Sequence, residues 1–172
     1  MDSNPAAALQ KLFLSRGWTL ATAESCTGGL LGKLITDQPG SSGYYRGGVV
    51  AYSNRSKLRI LGVKEETLAA KGAVSPETAR EMARGARQLM ESSVGAGITG
   101  VAGPGGKSSG KPIGLVYIAL AGPDGERVKR YIFSGSRADI RTMAAQSALA
   151  MLAAAVESSQ HVGAGSRDGD QG

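Results

Sequence analysis

The chain is poor in the side chains that most often carry hydrolytic chemistry. Its 172 residues hold one cysteine, Cys26, and one histidine, His161. A single cysteine excludes an internal disulfide and a cysteine-rich zinc site within one chain. It is compatible with a reducing cytoplasm, the expected location. The histidine stands in the polar, glycine-rich end HVGAGSRDGDQG, where a Ser-His-Asp or Cys-His arrangement has no natural place. Aromatics make up only 5% of the residues. No apolar run reaches about eighteen residues, so no spanning helix is expected. The first residues lack a basic start followed by an unbroken apolar core, and they read as an amphipathic helix rather than a signal peptide. Acidic residues form no paired motif at a strand end, so no metal and no cofactor are expected.

What is present is a medium-sized apolar core. Hydrophobic residues make up 41% of the chain, which suits one domain over residues 1–160 followed by a disordered tail at 161–172. Twenty Lys and Arg against fourteen Asp and Glu give a net charge of +6. The cations are scattered, with Arg80, Arg84 and Arg87 on one segment and Arg127, Lys129 and Arg130 on another. With few aromatics to stack bases, nucleic-acid binding is not expected; a small anionic substrate would use the same charge.

Hydrophobic periodicity alternates between helix and strand. Helices are expected over residues 5–16, 29–36, 64–71, from Pro76 to about Ser92, and 138–157, with a further one beginning at Asn54. Strands are expected over 18–23, 47–53, 94–99, 113–121 and 127–133. Gly122-Pro123-Asp124-Gly125 is a hairpin signal between the last two. The fold class is therefore α/β: three layers, α/β/α, on a mostly parallel, mixed sheet of about five strands with one antiparallel hairpin.

Without histidine, nucleophilic catalysis needs a hydroxyl or thiol activated by an amine of lowered pKa. Three strand-to-loop segments supply candidates. In ESCTGG, Ser25, Cys26 and Thr27 stand where a strand hands over to a helix, and Gly28 and Gly29 follow. Unpaired backbone N–H groups at such a helix start can hold an oxyanion or a phosphate. The bland alternative is that Ser25 or Thr27 caps the helix. In AYSNRSKLRILGV, Ser53 or Asn54 can cap a helix whose first turn then carries Lys57, where the helix dipole favours the neutral amine. The bland alternative is an exposed lysine accepting a small penalty. In ITGVAGPGG, Thr99 ends a strand, and Gly100 and Gly103 let backbone approach a ligand closely.

The segments TAESCTGGLLGKLIT, SSGYYRGGVVAYSNRSKLRILGV, GAVSPETA and GITGVAGPGG, in this order, closely resemble the C-terminal domain of the CinA competence/damage-inducible proteins. The resemblance covers about residues 5–158. Stand-alone relatives of that domain are nicotinamide-nucleotide amidohydrolases. The resemblance implies hydrolysis of the carboxamide of nicotinamide mononucleotide, giving nicotinate mononucleotide and ammonia, in pyridine nucleotide salvage. It places the catalytic set on Ser25, Tyr52 and Lys57. Thr99, Ser42 and an arginine of SRADIR also match, with Arg137 preferred over Arg141. The loops themselves add Cys26, Thr27, Gly28, Gly100 and Gly103 to the expected substrate-binding set. Family members often carry an additional N-terminal domain similar to molybdopterin-binding folds; it is not expected in this chain, and its activity is not carried over. Small domains of this kind often assemble, so a homodimer or larger closed ring is expected. Cys26 as nucleophile, water as direct attacker, and a non-catalytic nucleotide- or protein-binding module linked to competence or DNA damage remain the alternatives at this point.

Overall fold

A computed structural model describes residues 4–104 and 110–159. The expected tail at 161–172, and His161 with it, lies outside these residues. The elements follow the alternation read from the sequence. Helix α1 spans Pro5–Arg16, begun by Asn4, whose side chain accepts from the Ala6 N–H, and ended by Gly17 at φ 62°. Strand β1 is Leu20–Glu24 and α2 is Leu30–Thr36. A short 3-10 turn, Ser41–Gly43, leads to β2, Tyr45–Val50. Then come α3 (Asn54–Leu61), α4 (Glu65–Lys71) and α5 (Pro76–Leu89). Strand β3 is Val94–Gly100; β4 (Leu115–Gly122) and β5 (Gly125–Ile132) form the hairpin; α6, Arg137–Ser158, closes the domain.

The sheet order is β2-β1-β3-β4-β5. β1 runs parallel to both β2 and β3, and β3, β4 and β5 are successively antiparallel. Helices α1, α2 and α6 pack on one face, around Leu9, Phe13, Leu31, Ile35, Ile140 and Leu152. Helix α5 covers the other face, against β1, β3 and β4, with α3 and α4 leaning on it. Its close seat depends on small residues: a Cβ at Gly97 would collide with the backbone of Ala79. The result is the three-layer mixed-sheet architecture the periodicity predicts.

Each strand differs from its expected bounds by one to three residues at an end, and two of these shifts have a local cause. The strand expected at 47–53 is displaced to Tyr45–Val50, and its register with β1 shifts at Leu20/Ala21, so an extra residue sits between Tyr45 and Gly47. Residues 51–53 leave the ladder because Ser53 is taken up in capping α3. The strand expected from Ile113 starts at Leu115, since Gly114 turns the chain at φ 90°.

Candidate active site

Parallel β1 and β3 end side by side at Glu24 and Gly100, and the connection that leaves β2 runs beside them. Their carboxyl ends carry the three segments singled out in the sequence. Ser25 is the first residue past β1, and its N–H donates to the Ile98 carbonyl (3.0 Å), which anchors it to β3. The Ala51 N–H donates to the Glu24 carbonyl (2.8 Å), which ties the residue after β2 to the same strand end. Ser53 then caps α3, accepting from the Ser56 N–H, and Lys57 follows in the first turns with its side chain directed inward.

Lys57 is only 2% exposed. Its Nζ donates to Ser25 Oγ at 2.9 Å and to the Ala51 carbonyl at 2.9 Å. These two acceptors are neutral, and burial lowers the amine pKa from 10.5 to about 8. Ser25 Oγ therefore faces an amine held in the range where a base works near neutral pH. The exposed-lysine alternative is excluded by this burial.

Burial acts oppositely on Cys26, whose thiol is pushed up to about 11. It is held protonated at neutral pH, which weighs against it as nucleophile. Glu24 is 2% exposed and answers the question of what starts α2. Its carboxylate accepts from the N–H groups of Gly29 (3.1 Å), Leu31 (3.0 Å) and Gly32 (2.8 Å). The start of α2 is thus capped from the end of β1 and not by Ser25 or Thr27, and the donors of that helix are occupied. Gly28 and Gly29, at φ 61° and 97°, make the turn that allows this.

These segments enclose a cleft of about 170 Å³ lined by Ser25, Cys26, Tyr52, Asn54, Lys57, Ala73, Val74, the Thr99–Gly103 segment and Arg137. Most of the residues singled out in the sequence therefore meet. Thr99 lines the wall, but its hydroxyl donates to the Ala73 carbonyl (2.7 Å) and pins the loop before α5. Gly103 lies under the aliphatic stem of Arg137: a Cβ there would stand 3.2 Å from Arg137 Cβ. Arg137 Nη2 donates to the Tyr52 hydroxyl at 2.7 Å across the mouth. Arg141 is turned away from the cleft and donates to the Thr27 carbonyl at 2.9 Å. The two arginines left open by the sequence thus divide: Arg137 faces the cleft and Arg141 braces the turn after β1.

Three expectations need correction. Ser42 belongs to the 3-10 turn ahead of β2, beyond the amino ends of β1 and β2, at the opposite end of the sheet from Ser25. Thr27 and Gly28 do not line the cleft; Thr27 is fully buried and Gly28 packs against Arg141. Tyr52 stands on the exposed connection after β2, 59% exposed, and its hydroxyl is bonded to Arg137 rather than to Ser25 or Lys57. Sequence reasoning also missed the cap formed by Glu24. The signal available was a glutamate at the end of an apolar strand, five residues ahead of a glycine opening a helix.

With this geometry established, the chain matches the CinA C-terminal domain over residues 2–156. This chain belongs to the CinA C-terminal domain family. A CinA-like protein of Geobacter sulfurreducens is 52% identical over 148 residues, 86% of this chain and 36% of that protein. The chain spans about a third of the length of the curated relatives it matches. Among solved structures, competence damage-inducible protein A of Klebsiella pneumoniae superposes with a TM-score of 0.88 at 35% identity, covering 91% of this chain and 97% of that one. The competence/damage inducible protein CihA of Agrobacterium tumefaciens gives 0.83 at 36% identity, covering 91% and 98%. For this CinA-family chain, no group of His, Cys, Asp and Glu able to hold a metal ion occurs among the described residues. Among the same residues, no helix is long and apolar enough to cross a membrane.

Proposed function

We propose that this chain is an amidohydrolase that hydrolyses the carboxamide of nicotinamide mononucleotide, giving nicotinate mononucleotide and ammonia. The observation that carries the reading is the buried Lys57 amine 2.9 Å from Ser25 Oγ on the wall of a cleft. In the acylation step neutral Lys57 takes the Ser25 proton while Oγ attacks the amide carbon. The same proton is then delivered to the departing nitrogen, which leaves as ammonia. Lys57 next removes a proton from water, the hydroxide attacks the acyl-enzyme, and the proton returns to Ser25 as the carboxylate is freed.

The oxyanion would be held by the N–H group of Cys26, which follows Ser25 on the cleft wall. The N–H groups of Gly28, Gly29, Leu30, Leu31 and Gly32 are already bonded to Ser25, Thr27 and Glu24. Arg137, resting on Gly103 and bonded to Tyr52, would hold the phosphate. Tyr52 would orient Arg137 and close the rim; a proton relay through its hydroxyl requires it to leave Arg137.

The test is ammonia release from nicotinamide mononucleotide by the purified protein and by Ser25→Ala and Lys57→Ala. Turnover in the parent and loss of at least about a thousandfold in either variant is expected. Near-normal release by Lys57→Ala would refute the mechanism. Nucleotide binding with no release by the parent would leave the binding module considered above.

A further inference from the structure

Most polar side chains on the cleft wall are bonded to other described residues. Ser25 and Lys57 bond each other, Tyr52 accepts from Arg137, and Thr99 donates to the Ala73 carbonyl. Asn54 lines the same cleft and makes no side-chain hydrogen bond with any described residue. Its presence is not explained by helix capping, because Ser53 performs that task for α3. Nor is it explained by packing, since it is exposed.

Its position is specific all the same. Asn54 and Lys57 are three residues apart on α3, a spacing that puts side chains on the same helix face about 5–6 Å apart at Cβ. Lys57 reaches inward to Ser25, and Asn54 stands one turn nearer the opening. Both side chains line the cleft into which Ser25 faces. A primary carboxamide there has two N–H donors and needs an acceptor for them in a cleft that offers few. The Lys57 and Arg137 side chains are donors, and the Tyr52 and Thr99 hydroxyls are engaged elsewhere.

We propose that Asn54 is the specificity-determining residue for the amide: its Oδ1 accepts an N–H of the substrate carboxamide, so that amides are favoured over esters of the same acid. This rests on the amidohydrolase reading above. A site built to bond an N–H discriminates against the analogue that lacks one.

The experiment compares the parent, Asn54→Ala and Asn54→Asp on nicotinamide mononucleotide and on the methyl ester of nicotinate mononucleotide, at pH 9, where Lys57 is largely neutral. Asn54→Ala is expected to lose more than about tenfold in kcat/KM on the amide and less than about threefold on the ester. Asn54→Asp keeps an acceptor and is expected to restore most of the amide activity. Because the side chain is exposed and bonds none of the described residues, both variants are expected to melt within about 2 °C of the parent. An unchanged amide rate in Asn54→Ala, or equal losses on amide and ester, overturns the assignment while the parent's ammonia release upholds the amidohydrolase reading. If the parent turns over the amide but not the ester, the Ala and Asp arms on the amide decide: loss without rescue overturns the proposal. A parent silent on the amide overturns the amidohydrolase reading and this inference with it.

Discussion

In the proposed mechanism, Lys57 joins function to a local energetic penalty. In the unfolded chain its amine titrates near 10.5, and in the fold near 8. Between these values the unfolded state holds the extra proton, so this group's contribution to stability rises as pH rises through that window. At neutral pH the buried ammonium opposes folding. Lys57→Met should therefore melt higher than the parent at pH 7, by about 0.5–2 kcal/mol, with the gap narrowing toward pH 10. Thermal denaturation across that pH range checks this; a variant less stable at pH 7 would contradict it. Activity should follow the neutral amine. A pH profile of kcat/KM for ammonia release is expected to rise about tenfold per unit below pH 8 and to flatten above it. The arginines separate by assay as well. Arg137→Ala should raise KM with the melting temperature unchanged, whereas Arg141→Ala, losing its bond to Thr27, should cost about 1–2 kcal/mol of stability. From the sequence the placement of Lys57 in an early turn of α3 was readable, because Ser53 caps the helix. Its burial was not, because burial depends on β1, β3 and the 51–53 connection meeting around it. Nor could Arg137 and Arg141 be told apart, since one helical turn decides which of them faces the cleft.

At the scale of elements, the turn between β1 and α2 is held from both sides. The Glu24 carboxylate receives three N–H groups of the following helix, and its carbonyl receives the N–H of Ala51, whose own carbonyl receives Lys57. Removing this side chain strands buried donors, each costing about 1–3 kcal/mol when left unpaired. Glu24→Ala is thus expected to destabilise the domain by at least about 2 kcal/mol in urea unfolding and to abolish ammonia release in whatever fraction folds. Glu24→Gln, keeping one acceptor oxygen, should fall between. The strand-helix alternation that builds this turn was legible: β1, buried throughout, reads as an apolar run, and Gly28-Gly29 marks its end. The displaced β2 was not, because the pairing of Tyr45 and Gly47 with β1 across an extra residue is a property of two strands together. Ser42 was misplaced for a related reason. Ten residues separate it from Tyr52, and β2 carries the chain from one end of the sheet to the other between them.

Across the whole molecule, the cleft draws on the ends of β1 and β3, the 51–57 segment and the start of α6, so its walls come from residues 25 to 137. No contiguous half of the chain contains them all. The β4–β5 hairpin contributes none of them. Its Gly122–Gly125 turn lies beside the amino end of β3, since Gly95 pairs with Ala121, whereas the cleft opens at the carboxyl end, where Gly100 pairs with Val116. That single reversal of direction puts the cleft and the hairpin turn at opposite ends of the sheet. A flexible peptide of a dozen glycines and serines spliced between Pro123 and Asp124 should leave ammonia release untouched, while the same splice between Cys26 and Thr27 should end it. The hairpin is accordingly the place to attach a fluorophore, a tether or a second protein, and a chain immobilised there would present its cleft to solution.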